Sequence, residues 1–262
     1  MNYALITGAS SGIGRCYAEE LASLGYNIIA ISNQAEALES LAVSLKRHNV
    51  LVHTLCIDLA EEGAARAIYD RCCSKGWQVD MLICNAGMLL FSTLTRTAPE
   101  RLQTIVSLHC TTTTLLCRYF GEDMKRRRSG RILIMSSATT WLPYPTITHY
   151  SATKAYLKNF AFALWYELNS YGVSVTTVLP GAVDTPFYNL SPRLRRLFVA
   201  IGIMQRPETI AHRAIRAMLR GRRRLTPGLF TRFVVVICSL IPARLFELLL
   251  HIKPIKRLLE RV

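Results

Sequence analysis

Apolar runs recur along the chain at Tyr3–Thr7, Asn27–Ile31, Leu51–Ile57, Met81–Cys84, Ile132–Met135 and Val173–Leu179. Each is short and nearly continuous in apolar character, the pattern of a strand buried on both faces of a parallel sheet. The stretches between them carry apolar residues at helical spacing, as from Ile13 to Leu24. Strand and helix in alternation imply an α/β fold, a doubly wound Rossmann-type parallel sheet with helices on both faces. Ligands of such a sheet bind in the crevice beyond the carboxyl ends of its strands.

Beyond the first run stands Thr7-Gly8-Ala9-Ser10-Ser11-Gly12-Ile13-Gly14, with glycines spaced G-x-x-x-G-x-G between a strand and a helix. Three glycines in seven residues imply a crowded, sharply bent loop, and its backbone N–H groups at a helix N-terminus can hold a dinucleotide pyrophosphate. An ordinary Gly/Ser turn is the alternative, since strand-to-helix turns in parallel sheets are often glycine-rich.

Later in the chain Ser137 precedes Tyr150 by thirteen residues, and Lys154 follows it by four. A ketone that accepts hydride develops negative charge on oxygen, and a phenol bonded to that oxygen delivers a proton only if its pKa, about 10 in water, is lowered. An ammonium group nearby does this, and Lys154 at i+4 shares the helix face of Tyr150. Ser137, past the end of Ile132–Met135, can donate a second hydrogen bond to the carbonyl oxygen. A Tyr and a Lys four apart also occur on solvated helix faces, so it is the glycine turn together with the serine that points to a hydride-transfer enzyme.

These motifs resemble the short-chain dehydrogenase/reductase family, in its short single-domain branch, over about residues 1 to 190. The resemblance rests on the Thr7 to Gly14 turn, Asp58 after the third strand, Asn85-Ala86-Gly87 after the fourth, Ser137, Tyr150-x-x-x-Lys154, and Pro180-Gly181 followed by Thr185. It implies a dinucleotide-binding and catalytic domain over residues 1–192, with residues 193–262 as a lid or extension of the same domain. It implies Ser137, Tyr150 and Lys154 as catalytic groups, with Lys154 also binding the nicotinamide ribose. Asp58 would contact adenine, Asn85 border the adenosine ribose and Thr185 reach the carboxamide, the cofactor set being completed by Gly8, Ser10, Ser11, Gly12, Ile13, Gly14, Arg15, Asn33, Ala86, Gly87, Pro180, Gly181 and Val183. Asp58 has a second reading as a helix N-cap, since Leu59-Ala60-Glu61-Glu62 follows it.

Two positions depart from the family. Where its members carry an asparagine that stabilises a helix kink and a proton relay, this chain has His109 in Leu108-His109-Cys110-Thr111. An imidazole both donates and accepts, so it can support the same kink or join the relay; a core histidine is the other reading. At the end of the second strand, where an acid would bind the ribose hydroxyls of NAD, the chain reads Ile31-Ser32-Asn33-Gln34. The missing acid favours NADP over NAD, although Asn33 is neutral where many NADP-using relatives carry arginine. Arg15 could approach the 2′-phosphate, or be an exposed helix-start residue.

At 262 residues, 51% of them apolar, the chain suffices for one well-buried domain. Eight cysteines lack a C-x-x-C or a Cys/His cluster with metal-ligand spacing, and Cys56 and Cys84 fall in predicted core strands. With Met1 leading directly into the first strand, a cytoplasmic, reduced setting is expected. From Arg193 to Val262 there are 16 Lys/Arg against 3 Asp/Glu, so this stretch carries +13 of the formal +15. Its apolar run Phe233–Ile241 is far shorter than the ~20 residues of a membrane span. Residues 229–262 therefore read either as an interfacial segment drawn to anionic lipid or as helices covering the cleft or a subunit interface. The basic clusters lack interleaved aromatics, and no nucleic-acid partner is expected; a homo-oligomer is.

Trp141, Leu142, Tyr144, Phe187, Tyr188 and Leu190 are expected to line the substrate pocket and favour an apolar ketone: a 3-oxoacyl chain, a long-chain keto base or a steroid. A phosphopantetheine carrier or a coenzyme A thioester would suit the basic rim. The expected activity is NAD(P)H-dependent carbonyl reduction, reversible in principle. The alternative is a catalytically silent nucleotide-sensing or scaffolding protein on the same fold.

Overall fold

A computed structural model of the chain describes residues 2–141, 145–185 and 191–240. Strands β1 (Tyr3–Thr7), β2 (Asn27–Ser32), β3 (Val52–Cys56), β4 (Val79–Cys84), β5 (Gly130–Met135) and β6 (Val173–Val178) follow the six apolar runs closely. All pair in parallel, in the order β3-β2-β1-β4-β5-β6, and a seventh strand, β9 (Arg224–Leu225), closes the β6 edge. A two-residue pair, β7 (Ala182–Val183) and β8 (Met204–Gln205), stands beside this sheet.

The pleat sends alternate side chains to opposite faces. From β1 and β2, Ala4, Ile6, Ile28 and Ala30 enter one apolar layer while Leu5, Ile29 and Ile31 enter the other. The first layer is covered by α1 (Gly12–Ser23), α2 (Ala35–Leu45) and α8 (Pro207–Leu219), through Tyr17, Leu21, Leu38, Leu41, Ile215 and Met218. The second is covered by α3 (Ala64–Ser74), α5 (Thr112–Arg126) and α6 (Thr148–Asn169), through Ile68, Leu116, Phe120, Leu157 and Ala161. Between α4 (Pro99–Val106) and α5 the helix widens into a π-helical turn over Ser107–Thr111, and α7 (Pro192–Ala200) and α9 (Leu229–Leu240) follow the last long strand.

Two expectations change. Cys56, expected in the core, is exposed, because β3 is the sheet's edge and is only partly covered, whereas Cys84 in the central β4 is buried. After residue 192, α8 packs on the central apolar layer and β9 extends the sheet. Asp58 is not the cap of α3, which starts at Ala64 after Gly63; its carboxylate accepts from the Ala60 N–H (2.9 Å) and closes a local turn instead. Leu142, Tyr144, Phe187, Tyr188, Leu190 and residues 241–262 lie outside the described residues.

Candidate active site

Winding reverses between β1 and β4, and at their carboxyl ends a cleft of about 540 Å³ opens, a size typical of small-molecule sites at such a switch point. Its floor is the glycine turn. Gly8 and Gly12 take φ of +66° and +53°, in the left-handed region that side chains disfavour. A Cβ on Gly14 would collide with the Gly8 carbonyl, so α1 starts pressed against the end of β1. Thr7 stitches this floor to β4: its buried hydroxyl donates to the Ile83 carbonyl and accepts from the N–H groups of Asn85 (2.9 Å) and Ala86 (3.0 Å). The Asn85 amide donates to the Thr7 carbonyl (3.1 Å). Ser11, at the N-cap of α1, leaves the first turn without a side-chain cap, and no acidic residue stands in that turn. Its N–H groups thus face the cleft as a cradle for an anionic, phosphate-bearing ligand.

On the other wall Ser137, Tyr150 and Lys154 line the same cleft. Ser137 follows β5, is buried, and accepts from the Thr139 N–H (3.2 Å) and hydroxyl (3.0 Å), which fixes its rotamer. Ser136 donates to the Lys154 carbonyl (2.7 Å) and locks α6 to the end of β5. Tyr150 packs its ring against Leu90 and Ile105 in a small apolar cluster of its own. The Lys154 ammonium is buried, donates to the Met135 carbonyl (3.0 Å) and lies 5.7 Å from the Tyr150 ring centre. Burial lowers its pKa from 10.5 to about 8, a nearby Cys110 opposing the shift, so the cation dominates at neutral pH.

His109 sits in the π-helical turn, fully buried, its ring edge-on to Tyr150 with centres 5.9 Å apart. Burial first, then the Lys154 charge, hold its pKa well below 6.5, so the ring is neutral. Nε2 accepts from the Met88 N–H (3.0 Å), which leaves the proton on Nδ1 to be donated to the Thr153 hydroxyl (2.8 Å). Thr153 in turn donates to the Tyr150 carbonyl (2.8 Å). One imidazole thus ties the loop after β4 to the helix that carries Tyr150 and Lys154.

At the far end of the cleft Asn33 donates to Asp58 (3.3 Å), and Ser10 links to Ser32 (2.8 Å) and Gln34 (3.3 Å). Pro180, Gly181, Val183 and Thr185 close the rim, with Thr185 lying against Gly12. Of the residues expected in the site, Gly8, Ser10, Ser11, Gly12, Ile13, Asn33, Asp58, Asn85, Ala86 and Gly87 also line the cleft. Gly14 and His109 lie beneath it. Arg15 is turned away, paired with Glu19 (3.1 Å) and in reach of Ser44 on α2. Trp141 is not on the lining either; Lys158 covers its ring at 4.4 Å. Met88, Thr104 and Leu108 line the cleft unforeseen, because they come from loop and helix positions without a motif of their own.

The short chain dehydrogenase family profile matches residues 2–193. Inactive hydroxysteroid dehydrogenase-like protein 1 of Homo sapiens is 32% identical over 84% of this chain and 67% of its own length. Very-long-chain 3-oxoacyl-CoA reductase of Rattus norvegicus is 34% identical over 70% of this chain and 60% of its own. Among solved structures, a short-chain dehydrogenase from Sphingobium yanoikuyae in complex with NADPH superposes with a TM-score of 0.79 at 25% identity, covering 93% of this chain and 97% of that one. A seven-stranded parallel sheet, a glycine turn under an uncapped helix and the Ser-Tyr-Lys wall go together with these similarities: the chain belongs to the short-chain dehydrogenase family.

Proposed function

We propose that this protein is an NADPH-dependent reductase of an apolar ketone, of the 3-oxoacyl or steroid type, and that Tyr150 is its proton donor. The observation that carries the proposal is the buried Lys154 ammonium beside the Tyr150 ring on the cleft wall. Bound NADPH would supply the hydride. The Tyr150 hydroxyl gives its proton to the substrate oxygen as the carbonyl becomes a secondary alcohol, and the neighbouring cation stabilises the phenolate left behind. Ser137 holds the carbonyl oxygen by a second hydrogen bond. Lys154 also has donors for ribose hydroxyls, and the α1 cradle takes the pyrophosphate. At the adenosine end, the neutral Ser32, Asn33 and Gln34 provide no carboxylate against a 2′-phosphate. Similarity to a relative that is inactive by name gives the silent, nucleotide-sensing reading its one supporting observation; retention of Ser137, Tyr150 and Lys154 in one cleft weighs against it.

The deciding experiment is NADPH oxidation with a panel of 3-oxoacyl thioesters and oxo-steroids, comparing wild type with Tyr150→Phe. The variant is expected to bind NADPH unchanged and to lose about 10²–10⁴-fold in kcat, the usual weight of a positioned proton donor. Equal turnover in both proteins would remove Tyr150 from the reaction, and NADPH binding without turnover of any ketone would favour the silent reading.

A further inference from the structure

Helix α9 is apolar on its outward side as well as its inward one. A helix on a domain surface normally turns its apolar side chains inward and leaves polar ones outside; in α9 Thr231 is buried against Gly181 of the cleft rim and Val234 and Val235 are half-buried, yet the outer side is apolar too. Its outward stripe is Leu229, Phe230, Phe233, Ile237 and Leu240, with Leu229 81% and Leu240 75% exposed. The spacing i, i+1, i+4, i+8, i+11 places all five on one face. Helix α7 repeats the arrangement on a smaller scale, with Leu194, Leu197 and the following Ile201 exposed. Both helices belong to the rim of the cleft. Arg195 on α7 pairs with Asp184 (2.5 Å), next to Thr185, and α9 is seated through Thr231.

Charge identifies what such a face meets. Between Arg193 and Leu240 there are eleven arginines and one acidic residue, Glu208. Arg193 and Arg196 are exposed beside the α7 stripe, and Arg232 beside that of α9. Within the described residues α9 covers 12 positions, and no helix among those residues is long and apolar enough to cross a bilayer. An apolar stripe bordered by arginines is instead matched by the boundary between anionic headgroups and acyl chains, with the helix lying in the plane of the surface.

We infer that the outward faces of α7 and α9 dock the protein onto an anionic lipid surface, bringing the rim of the cleft to the membrane. This is independent of the reductase reading, because docking is measured without substrate.

The test is co-sedimentation of the full chain with vesicles of phosphatidylcholine alone or with about 30% phosphatidylglycerol, using wild type and Phe233→Glu/Leu240→Glu. Wild type is expected to pellet with the anionic vesicles and much less with the neutral ones, and to be released as salt rises from about 0.05 to about 0.5 M. The double variant is expected to bind about tenfold more weakly or less, with thermal unfolding and NADPH binding unchanged, since both positions face solvent. Wild type that ignores both vesicles, or a variant that binds like wild type, overturns the inference. So does a variant that forms a smaller oligomer than wild type in lipid-free sedimentation velocity, which would assign the face to a second copy of the chain.

Discussion

Lys154 in the wall of the cleft and His109 beneath it are both buried bases, and both are held there at a cost that depends on pH. Burial lowers the lysine from 10.5 to about 8, so the unfolded chain binds more protons than the folded one between those values, and stability rises with pH across that window. Below pH 8 the penalty is present in full. Lys154→Met is therefore expected to abolish reduction yet raise unfolding free energy at pH 7 by roughly 1–3 kcal/mol, with the gap closing toward pH 10.5. Denaturant titrations at the two pH values check this, and a variant less stable than wild type at pH 7 would contradict it. His109 has the same sign in a lower window. Its folded pKa lies well below 6.5, so its contribution is intact above that pH and is lost as the solution is acidified toward the folded value. His109→Gln, which cannot titrate, is expected to flatten the acid limb of a stability-against-pH curve that falls in wild type from about pH 6.5. The sequence marks His109 as standing where the family carries asparagine, but its partners Met88 and Thr153 are 21 and 44 residues away. Its tautomer and its bridging of two loops are set by tertiary geometry that no local pattern carries.

Elements whose identity depends on their own apolar content are readable along the chain, and those that depend on a neighbour are not. The six long strands have runs of five or six residues, and the alternation of Leu5 with Ile6 between layers follows from the pleat. Strand β9 has two residues, Arg224 and Leu225, preceded by a run of arginines that reads as a solvated cluster. It is a strand because β6 offers it a free edge, and because Arg223 is received by α6. The Arg223 guanidinium lies 5.5, 5.6 and 5.4 Å from the rings of Phe162, Trp165 and Tyr166 and donates to the Tyr166 hydroxyl (2.5 Å). An arginine in a ring of aromatics contributes about 1 kcal/mol at an exposed site. Arg223→Ala is expected to cost about that much, and to speed hydrogen exchange at Thr177 and Leu179, whose N–H groups bond to Arg223 and Leu225. Exchange unchanged at those two amides would mean that β9 is held by its backbone alone.

At the scale of the molecule, the cleft joins the two halves of the winding: the glycine turn and the Asn33–Asp58 end come from β1 to β3, and the Ser-Tyr-Lys wall from β5 and α6. A ligand that spans it fastens one half to the other and has no counterpart in the unfolded chain, so binding appears as global stability. At a hundred times its Kd, NADPH is expected to add about 2.7 kcal/mol, and a chain of this size converts that into roughly 5–10 °C in Tm. NADH is expected to give a smaller shift, because Ser32, Asn33 and Gln34 lack the carboxylate that would bind its ribose hydroxyls. Asn33 is exposed and its side chain donates to Asp58, so Asn33→Asp changes charge without opening the core. The substitution should shrink the NADPH shift by repelling the 2′-phosphate and spare or enlarge the NADH shift. Thermal scans with the two nucleotides on wild type and variant measure all four values. Equal shifts with NADH and NADPH in wild type, unmoved by the aspartate, would mean that the end of β2 does not read the ribose at all.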